Sequence, residues 1–92
     1  MNSHERVNLP LLFSTYAKLG AKQSVVFSYI LLNKDEENKM FSTSTKLSEE
    51  TGVHRHTVET ALAKLAELGI IIRNKREIAV SEVLCMPKAQ EV

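Results

Sequence analysis

The sequence has few of the residues that mark disulfide-bonded, disordered or membrane-spanning proteins. Its single cysteine, Cys85, excludes an internal disulfide and cannot build a thiolate metal site alone. Only two prolines and three glycines occur in 92 residues, so a disordered chain is not the expectation. No stretch is long and apolar enough to span a membrane, and the first residues lack the layout of a signal peptide. These absences predict a soluble cytoplasmic protein with no membrane partner.

Charge of one sign is also scarce, because 12 basic and 11 acidic residues leave a net charge of only +1. The distribution is uneven. Residues 54–76 hold five Lys or Arg against two Glu, or +3, whereas residues 34–53 hold three against five, or −2. A locally basic block matters more than the total charge for binding a polyanion such as DNA. An ordinary solvated surface accounts for the same pattern, so charge alone leaves both interpretations open.

What is present is hydrophobic patterning, with 43% hydrophobic residues arranged in short segments. Pro10 interrupts the apolar segment 7–13 and predicts an extended entry, followed by a short helical turn over residues 14–18. Gly20 suits the left-handed conformation that closes such a turn. Residues 21–33 are apolar on more than one face and long for a strand, which predicts a largely buried helix.

The middle of the chain predicts two helices joined by a tight turn. Thr43 is a good helix starter, and the helix over residues 44–51 is expected to stop at Gly52. A second helix is expected over residues 55–68, closed by Gly69, because its apolar residues recur at three- and four-residue steps. The recurring apolar residues are Val58, Ala61, Leu62, Leu65 and Leu68, and the face at residues 58, 61, 62 and 65 is expected to lie against the core.

The other patterned segments predict a loop and short strands. The polar run 33–39 predicts a solvated loop, and residues 40–42 a very short strand. Residues 70–73 and 76–80 read as a β-hairpin, with Asn74-Lys75 as its two-residue turn. Asn74 is the residue expected to accept the positive φ that such a turn demands.

Together these elements predict a mainly α protein with a small β-hairpin, an α+β fold class, in one domain. The core of that domain is expected over residues 9–80. Residues 81–92 form a C-terminal extension, for which the apolar pattern leaves strand and helix open.

The segment from Thr43 to Ile71 resembles the core of bacterial winged helix-turn-helix DNA-binding regulators. With Leu9-Pro10 and the helix near residues 25–32, the chain is also similar to the winged-helix domains of plasmid and phage replication initiators. The resemblance therefore covers roughly residues 9–80 and implies a winged helix-turn-helix fold. The pairs that carry it within the segment are Gly52-Val53, Thr57-Val58, Ala61-Leu62, Leu68-Gly69 and Ile70-Ile71.

The resemblance implies a binding surface for double-stranded DNA. Ser44 and Thr45 match positions that commonly touch backbone phosphate, where amides of a helix start favour an anion. The second helix of the pair enters the major groove with its N-terminal residues, and the hairpin, or wing, lies on the backbone or in the minor groove. The expected DNA-binding residues are Ser44, Thr45, His54, Arg55, His56, Thr57, Thr60, Lys64, Arg73, Lys75 and Arg76.

Two residues depart from the family pattern. His54 stands where Ser or Thr usually caps the recognition helix, which predicts a weaker cap or a shifted boundary. Glu59 is expected to face outward from the same helix, where it either accepts from cytosine or opposes phosphate. His54 and His56 form a pair, but no Cys or carboxylate completes a set of metal ligands, so no metal or cofactor is expected.

No enzyme is expected either, because the sequence has no Gly-rich phosphate loop and no nucleophile with a plausible His and acid nearby. No aromatic residue lies in the basic block 54–76, which argues against binding of single strands. The aromatic residues are expected instead in the core or in dimer contacts. They are Phe13, Tyr16, Phe27, Tyr29 and Phe41.

We therefore expect a sequence-specific double-stranded DNA-binding protein, acting first of all as a transcriptional repressor. A plasmid or phage replication-initiation or partition (centromere-binding) protein is the close alternative, with an ATPase, GTPase or replication protein as partner. A winged-helix adaptor that binds protein is the alternative of another class. A homodimer is expected because one module buries modest area, and its apolar surface is expected in residues 7–16 and 83–86.

Overall fold

In a computed structural model, the described residues 6–87 form four helices and a three-stranded antiparallel sheet. The sheet has the order β1-β3-β2, so the last strand of the chain lies in the middle. This arrangement confirms the α+β class and is compatible with a winged helix-turn-helix. The elements are α1 (Leu9–Ala17), α2 (Ala21–Asn33), β1 (Lys39–Phe41), α3 (Ser44–Thr51), α4 (Arg55–Glu67), β2 (Ile71–Asn74) and β3 (Glu77–Val80).

The core lies between α2, α3, α4 and the inner face of the sheet. The predicted core-facing side of α4 is confirmed, because Val58, Ala61, Leu62 and Leu65 are all buried, and Leu68 is the C-cap and is 36% exposed. Tyr16 of α1 packs its ring 4.9 Å from the buried ring of Phe27. The other buried apolar residues include Val26, Ile30, Leu47, Val53, Ile70, Ile71, Ile78, Val80 and Leu84.

Helix α1 begins earlier than the sequence predicted. The backbone N–H of Leu11 donates to the side-chain oxygen of Asn8 at 3.1 Å, which caps the helix at its first turn. Pro10 lies in that first turn, where its missing N–H would have no helical partner anyway. The predicted extended entry with a helix only over residues 14–18 is therefore wrong. So is the left-handed Gly20, which has φ −71° and serves as the N-cap of α2.

The predicted solvated loop is buried at its end. Asn38 is 2% exposed and has a φ of 66°. Its side-chain amide donates to the carbonyl of Cys85 at 2.8 Å, and its side-chain oxygen accepts from the Lys34 ammonium at 2.8 Å. These bonds satisfy a polar side chain that would be costly to bury without partners. Asn38 thus ties the start of β1 to the chain that follows β3.

The chain after β3 forms a turn and one isolated β-bridge, between Val7 and Cys85. The backbone N–H of Asn8 also donates to the carbonyl of Leu84 at 2.7 Å. Leu84 and Cys85 are buried, so they are unavailable to the dimer surface expected over residues 83–86, whereas Val83 is exposed. Residues 88–92 lie outside the described part of the chain.

Candidate nucleic-acid interface

The start of α3 is built by a side-chain cap. The backbone N–H of Lys46 donates to Thr43 Oγ1 at 3.1 Å, so the helix begins at Ser44, as the sequence predicted. Ser44 and Thr45 therefore occupy the first turn, where backbone amides have no helical partner and the helix dipole favours an anion. Thr45 is exposed and Ser44 is half-buried. Both stand where a phosphate contact was expected.

The turn between α3 and α4 is closed by hydrogen bonds as well as by glycine. Gly52, where the helix was expected to stop, has φ 76°, a left-handed conformation that glycine adopts easily. Ser48 Oγ donates to the carbonyl of Val53 at 2.6 Å, and the Val53 N–H donates to Thr51 Oγ1 at 3.2 Å. The Val53 side chain is buried beneath the turn. These contacts hold α4 at a set angle to α3.

Helix α4, the expected recognition helix, is capped by a histidine. His54 Nδ1 accepts from the backbone N–H of His56 at 3.1 Å, which satisfies one amide of the first turn of α4. The helix starts at Arg55, where the sequence placed it. The imidazole therefore performs the capping that Ser or Thr usually performs at this position.

The outward face of α4 near its start is polar and partly paired. Arg55 and Glu59 lie one helical turn apart and approach to 3.6 Å, and both side chains are exposed. Thr60 Oγ1 donates to the carbonyl of His56 at 3.0 Å, while Thr57 is half-buried. Glu59 and Arg55 thus form an exposed ion pair between positions i and i+4 of the helix.

Lys64 stands apart from the other expected residues. Its ammonium donates to the carbonyl of Lys18, at the C-terminal end of α1, at 3.0 Å. At about 1.5 Å of rise per residue, it lies roughly 14 Å along α4 from Arg55. The structure therefore places Lys64 at the far end of the recognition helix, in contact with another element.

The hairpin turn is one residue later than predicted. Asn74 pairs with Glu77 as the last rung between β2 and β3, so the turn consists of Lys75 and Arg76. Lys75, with φ 58°, takes the positive φ that was expected at Asn74. Arg73 and both turn residues are exposed. The wing tip therefore consists of two basic residues.

The wing is tied to the entry of α3. The backbone N–H of Ser42, directly after β1, donates to the carbonyl of Arg76 at 2.8 Å. Two residues later the chain enters α3 at Ser44. The structure thus joins the expected phosphate contacts at the start of α3 to the basic wing tip, although about 30 residues separate them along the chain.

A residue that the sequence interpretation did not include belongs to this region. Phe41 lies opposite Glu77 in the sheet and lines a shallow groove with the wing tip. The sequence placed the residue on a short strand but outside the basic block. No local signal connects it to the wing, because only the pairing of β1 with β3 brings them together. The groove is lined by Phe41, Asn74, Lys75, Arg76 and Glu77.

Within residues 6–87, no three His, Cys, Asp or Glu side chains are grouped where they could hold a metal ion. Over the same range, no helix combines the length and the apolar character needed to cross a bilayer.

A helix pair joined by a tight turn and followed by a basic hairpin is the arrangement of winged helix-turn-helix proteins. The chain belongs to the Firmicute plasmid replication protein (RepL) family, whose family model matches residues 2–87. Searches of curated proteins and of solved structures find no match. The family confirms the plasmid-replication part of the sequence-based resemblance. It favours that alternative over the transcriptional repressor that we expected first.

Proposed function

We propose that this chain binds double-stranded plasmid DNA in a sequence-specific manner and thereby acts in the initiation of plasmid replication. The observation that carries the proposal is the bond between Ser42 and Arg76, which joins the start of α3 to the wing tip. This bond brings the exposed Lys75 and Arg76 of the wing tip close to the first turn of α3, which begins two residues after Ser42. The family membership supplies the plasmid-replication context.

The positions of these residues suggest two kinds of DNA contact within this surface, to phosphates and to bases. Ser44, Thr45 and Lys75 lie at a helix start or a turn, where contacts to phosphate position a protein without reading sequence. Arg55 and Thr57 lie in the first turn of α4, where side chains can reach base edges in the major groove. Glu59 lies 3.6 Å from Arg55 and competes with DNA for the guanidinium.

A homodimer is part of the proposal, because one module of this size supports only modest affinity and specificity. The apolar side chains available for it are on α1 and beside it. Leu9 and Phe13 are exposed on the same face of α1, one turn apart, and Val7 precedes them. In the C-terminal part of the expected surface, Val83 is exposed and Met86 half-buried, whereas Leu84 and Cys85 are buried.

The test is a titration of labelled duplex DNA followed by fluorescence anisotropy. Affinity for a duplex of mixed sequence should fall steeply between about 50 mM and about 200 mM salt, because bound cations release counterions from DNA. A site selected from a random duplex pool then gives a matched pair, the selected duplex and its scrambled form. Absence of binding to either duplex at the lower salt would overturn the proposal in favour of a protein-binding adaptor.

Three substitutions test which residues contact bases and which contact phosphates. Arg55→Ala and Thr57→Ala should reduce the preference for the selected duplex, by about 5-fold or more for the arginine. Lys75→Ala should weaken both duplexes alike and lower the salt slope by about one unit. Lys22→Ala, an exposed lysine of α2 outside the proposed surface, is the matched control. Equal effects from all three substitutions would contradict the assignment of roles.

A further inference from the structure

The ring of Phe41 is the most exposed aromatic side chain beside the wing. It is 67% exposed on the outer face of the sheet, opposite Glu77. Its neighbour Met40 lies on the other face, opposite the fully buried Ile78. Successive residues of a strand point to opposite sides of the sheet. Because Met40 is on the side that packs against the core, Phe41 is on the outer side. The exposure of the ring is therefore built into the register of β1.

Backbone contacts fix the chain at Phe41 and at the residue that follows it. On one side, the ladder between β1 and β3 fixes Phe41 against Glu77. On the other side, the buried Ser42 donates its N–H to the carbonyl of Arg76. The backbone that carries the ring is therefore already ordered beside the wing turn, which reduces the entropic cost of binding a ligand there.

The groove around the ring combines an aromatic face with charges of both signs. Lys75 and Arg76 are exposed cations at its turn, and Asn74 offers a side-chain amide. The Glu77 carboxylate lies opposite Phe41 and repels phosphate there, so phosphates are confined to the turn side. A flat apolar face with cations along one edge matches a nucleobase with its attached phosphates.

We propose that Phe41 stacks on a DNA base that has left its neighbours in the duplex, while Lys75 and Arg76 contact the adjoining phosphates. The inference rests on the proposed DNA binding and adds a second mode of contact to it. The base comes either from a single strand or from an opened step of a duplex, because both present the same unstacked face. Stacking of this kind tolerates any sequence, so it complements the reading of base edges by α4.

The first test compares Phe41→Ala with a matched control on the same face of the sheet. Ile72 is 64% exposed and pairs with Ala79, but it does not line the groove. With an oligothymidine of roughly 16 nucleotides as probe, Phe41→Ala should bind about 5-fold to about 100-fold more weakly than wild type. Ile72→Ala should stay within about 2-fold of wild type. Phe41→Leu, which keeps apolar bulk without a flat ring, should lose as much as the alanine variant.

The second test uses the absence of tryptophan from the sequence. Phe41→Trp creates a single indole at the proposed stacking position, and a base stacked on it should quench its fluorescence. Ile72→Trp is the control and should show no quenching. Each variant is titrated with oligothymidine and with a duplex of mixed sequence. Quenching by the oligothymidine identifies a single strand as the source of the base, whereas quenching by the duplex alone identifies an opened step.

The inference and the proposed function fail in different ways. If wild type binds duplex and Arg55→Ala weakens that binding, the proposed function stands. Full retention of oligothymidine and duplex binding by Phe41→Ala or Phe41→Leu, with no quenching of Phe41→Trp, would then overturn the stacking inference alone. If wild type binds neither DNA at low salt, both fall together.

Discussion

At the scale of single residues, Tyr29 and Glu50 form the contact with the clearest dependence on pH. The phenol of Tyr29, on α2, donates a hydrogen bond to the Glu50 carboxylate, on α3. That hydrogen bond raises the pKa of Tyr29 above its ordinary value of 10.0, and desolvation and the negative charge of Glu50 act in the same direction. A raised pKa means that the folded protein favours the protonated phenol over the tyrosinate.

This contact should therefore stabilise the fold below about pH 10 and lose that effect as the pH rises through the raised pKa. The chain has two tyrosines, so subtracting the alkaline absorbance titration of Tyr29→Phe from that of wild type isolates Tyr29. Glu50→Ala, which removes both the acceptor of this hydrogen bond and the charge, should bring the pKa of Tyr29 back down. An unchanged titration in Glu50→Ala would contradict the assigned cause.

Sequence reasoning was most successful for residues whose partners are near in the chain. Thr43 and Gly52 act as the start and stop signals that were read from them, because each contacts a backbone only a few residues away. His54 was expected to cap α4 poorly, and the structure shows its ring nitrogen accepting from the first turn. Residue type alone does not reveal whether an imidazole presents its acceptor to the amide.

At the scale of elements, the wing turn holds a lysine in a conformation that other residues adopt more easily. Lys75 has φ 58°, whereas glycine or asparagine is usual at such positions. An outlier of this kind points to a role for the side chain. The role that the proposed function assigns to it is a positive charge at the tip of the wing.

We predict that Lys75→Gly raises the free energy of unfolding by about 0.5 kcal/mol to about 1 kcal/mol, because glycine relieves the strained φ. The same variant should bind all duplexes more weakly, because a phosphate contact is lost. Arg76→Gly is the matched control: it removes the same charge from the same turn but relieves no positive φ, so it should lower stability. Urea unfolding and duplex anisotropy measure the two effects, and a loss of stability in both variants would refute the prediction.

The elements also show where local patterns mislead. Pro10 reads as an interruption of a helix unless Asn8 is recognised as the cap that places it in the first turn. The wing turn lies one residue later than predicted, because strand register decides where a hairpin turns. In this register Asn74 pairs with Glu77. Turn preferences of single residues are weaker than the burial of alternate strand residues such as Ile78 and Val80.

At the scale of the whole molecule, the chain after β3 closes the fold. Leu84 is 1% exposed, and its carbonyl accepts from the N–H of Asn8 at the start of α1. Asn38 reaches the same segment through the carbonyl of Cys85. The two ends of the described chain and the loop before β1 are thereby joined.

We predict that Leu84→Ala lowers the free energy of unfolding by about 2 kcal/mol to about 5 kcal/mol, because it removes buried methyl groups and leaves a cavity. Domains of this size are stable by only about 5 kcal/mol to about 15 kcal/mol, so the loss is large. Val83→Ala, next in the chain and 62% exposed, should change stability by less than about 0.5 kcal/mol. Urea unfolding of the two variants checks this, and similar small losses in both would show that this segment adds little to the core.

The sequence by itself determined the helix pair and its turn, because caps, glycines and helical periodicity act between residues a few positions apart. It therefore predicted the limits of α3 and the start of α4, on which the proposed reading of DNA depends. Only the tertiary structure showed that residues 41 and 76 are neighbours, because they meet through the pairing of β1 with β3 and no local rule of sequence links them. That pairing placed Phe41 beside the basic wing. The sequence has no aromatic residue in the basic block 54–76, which argued against contact with single strands. In the folded protein, an aromatic residue from outside that block, Phe41, lies beside its wing turn.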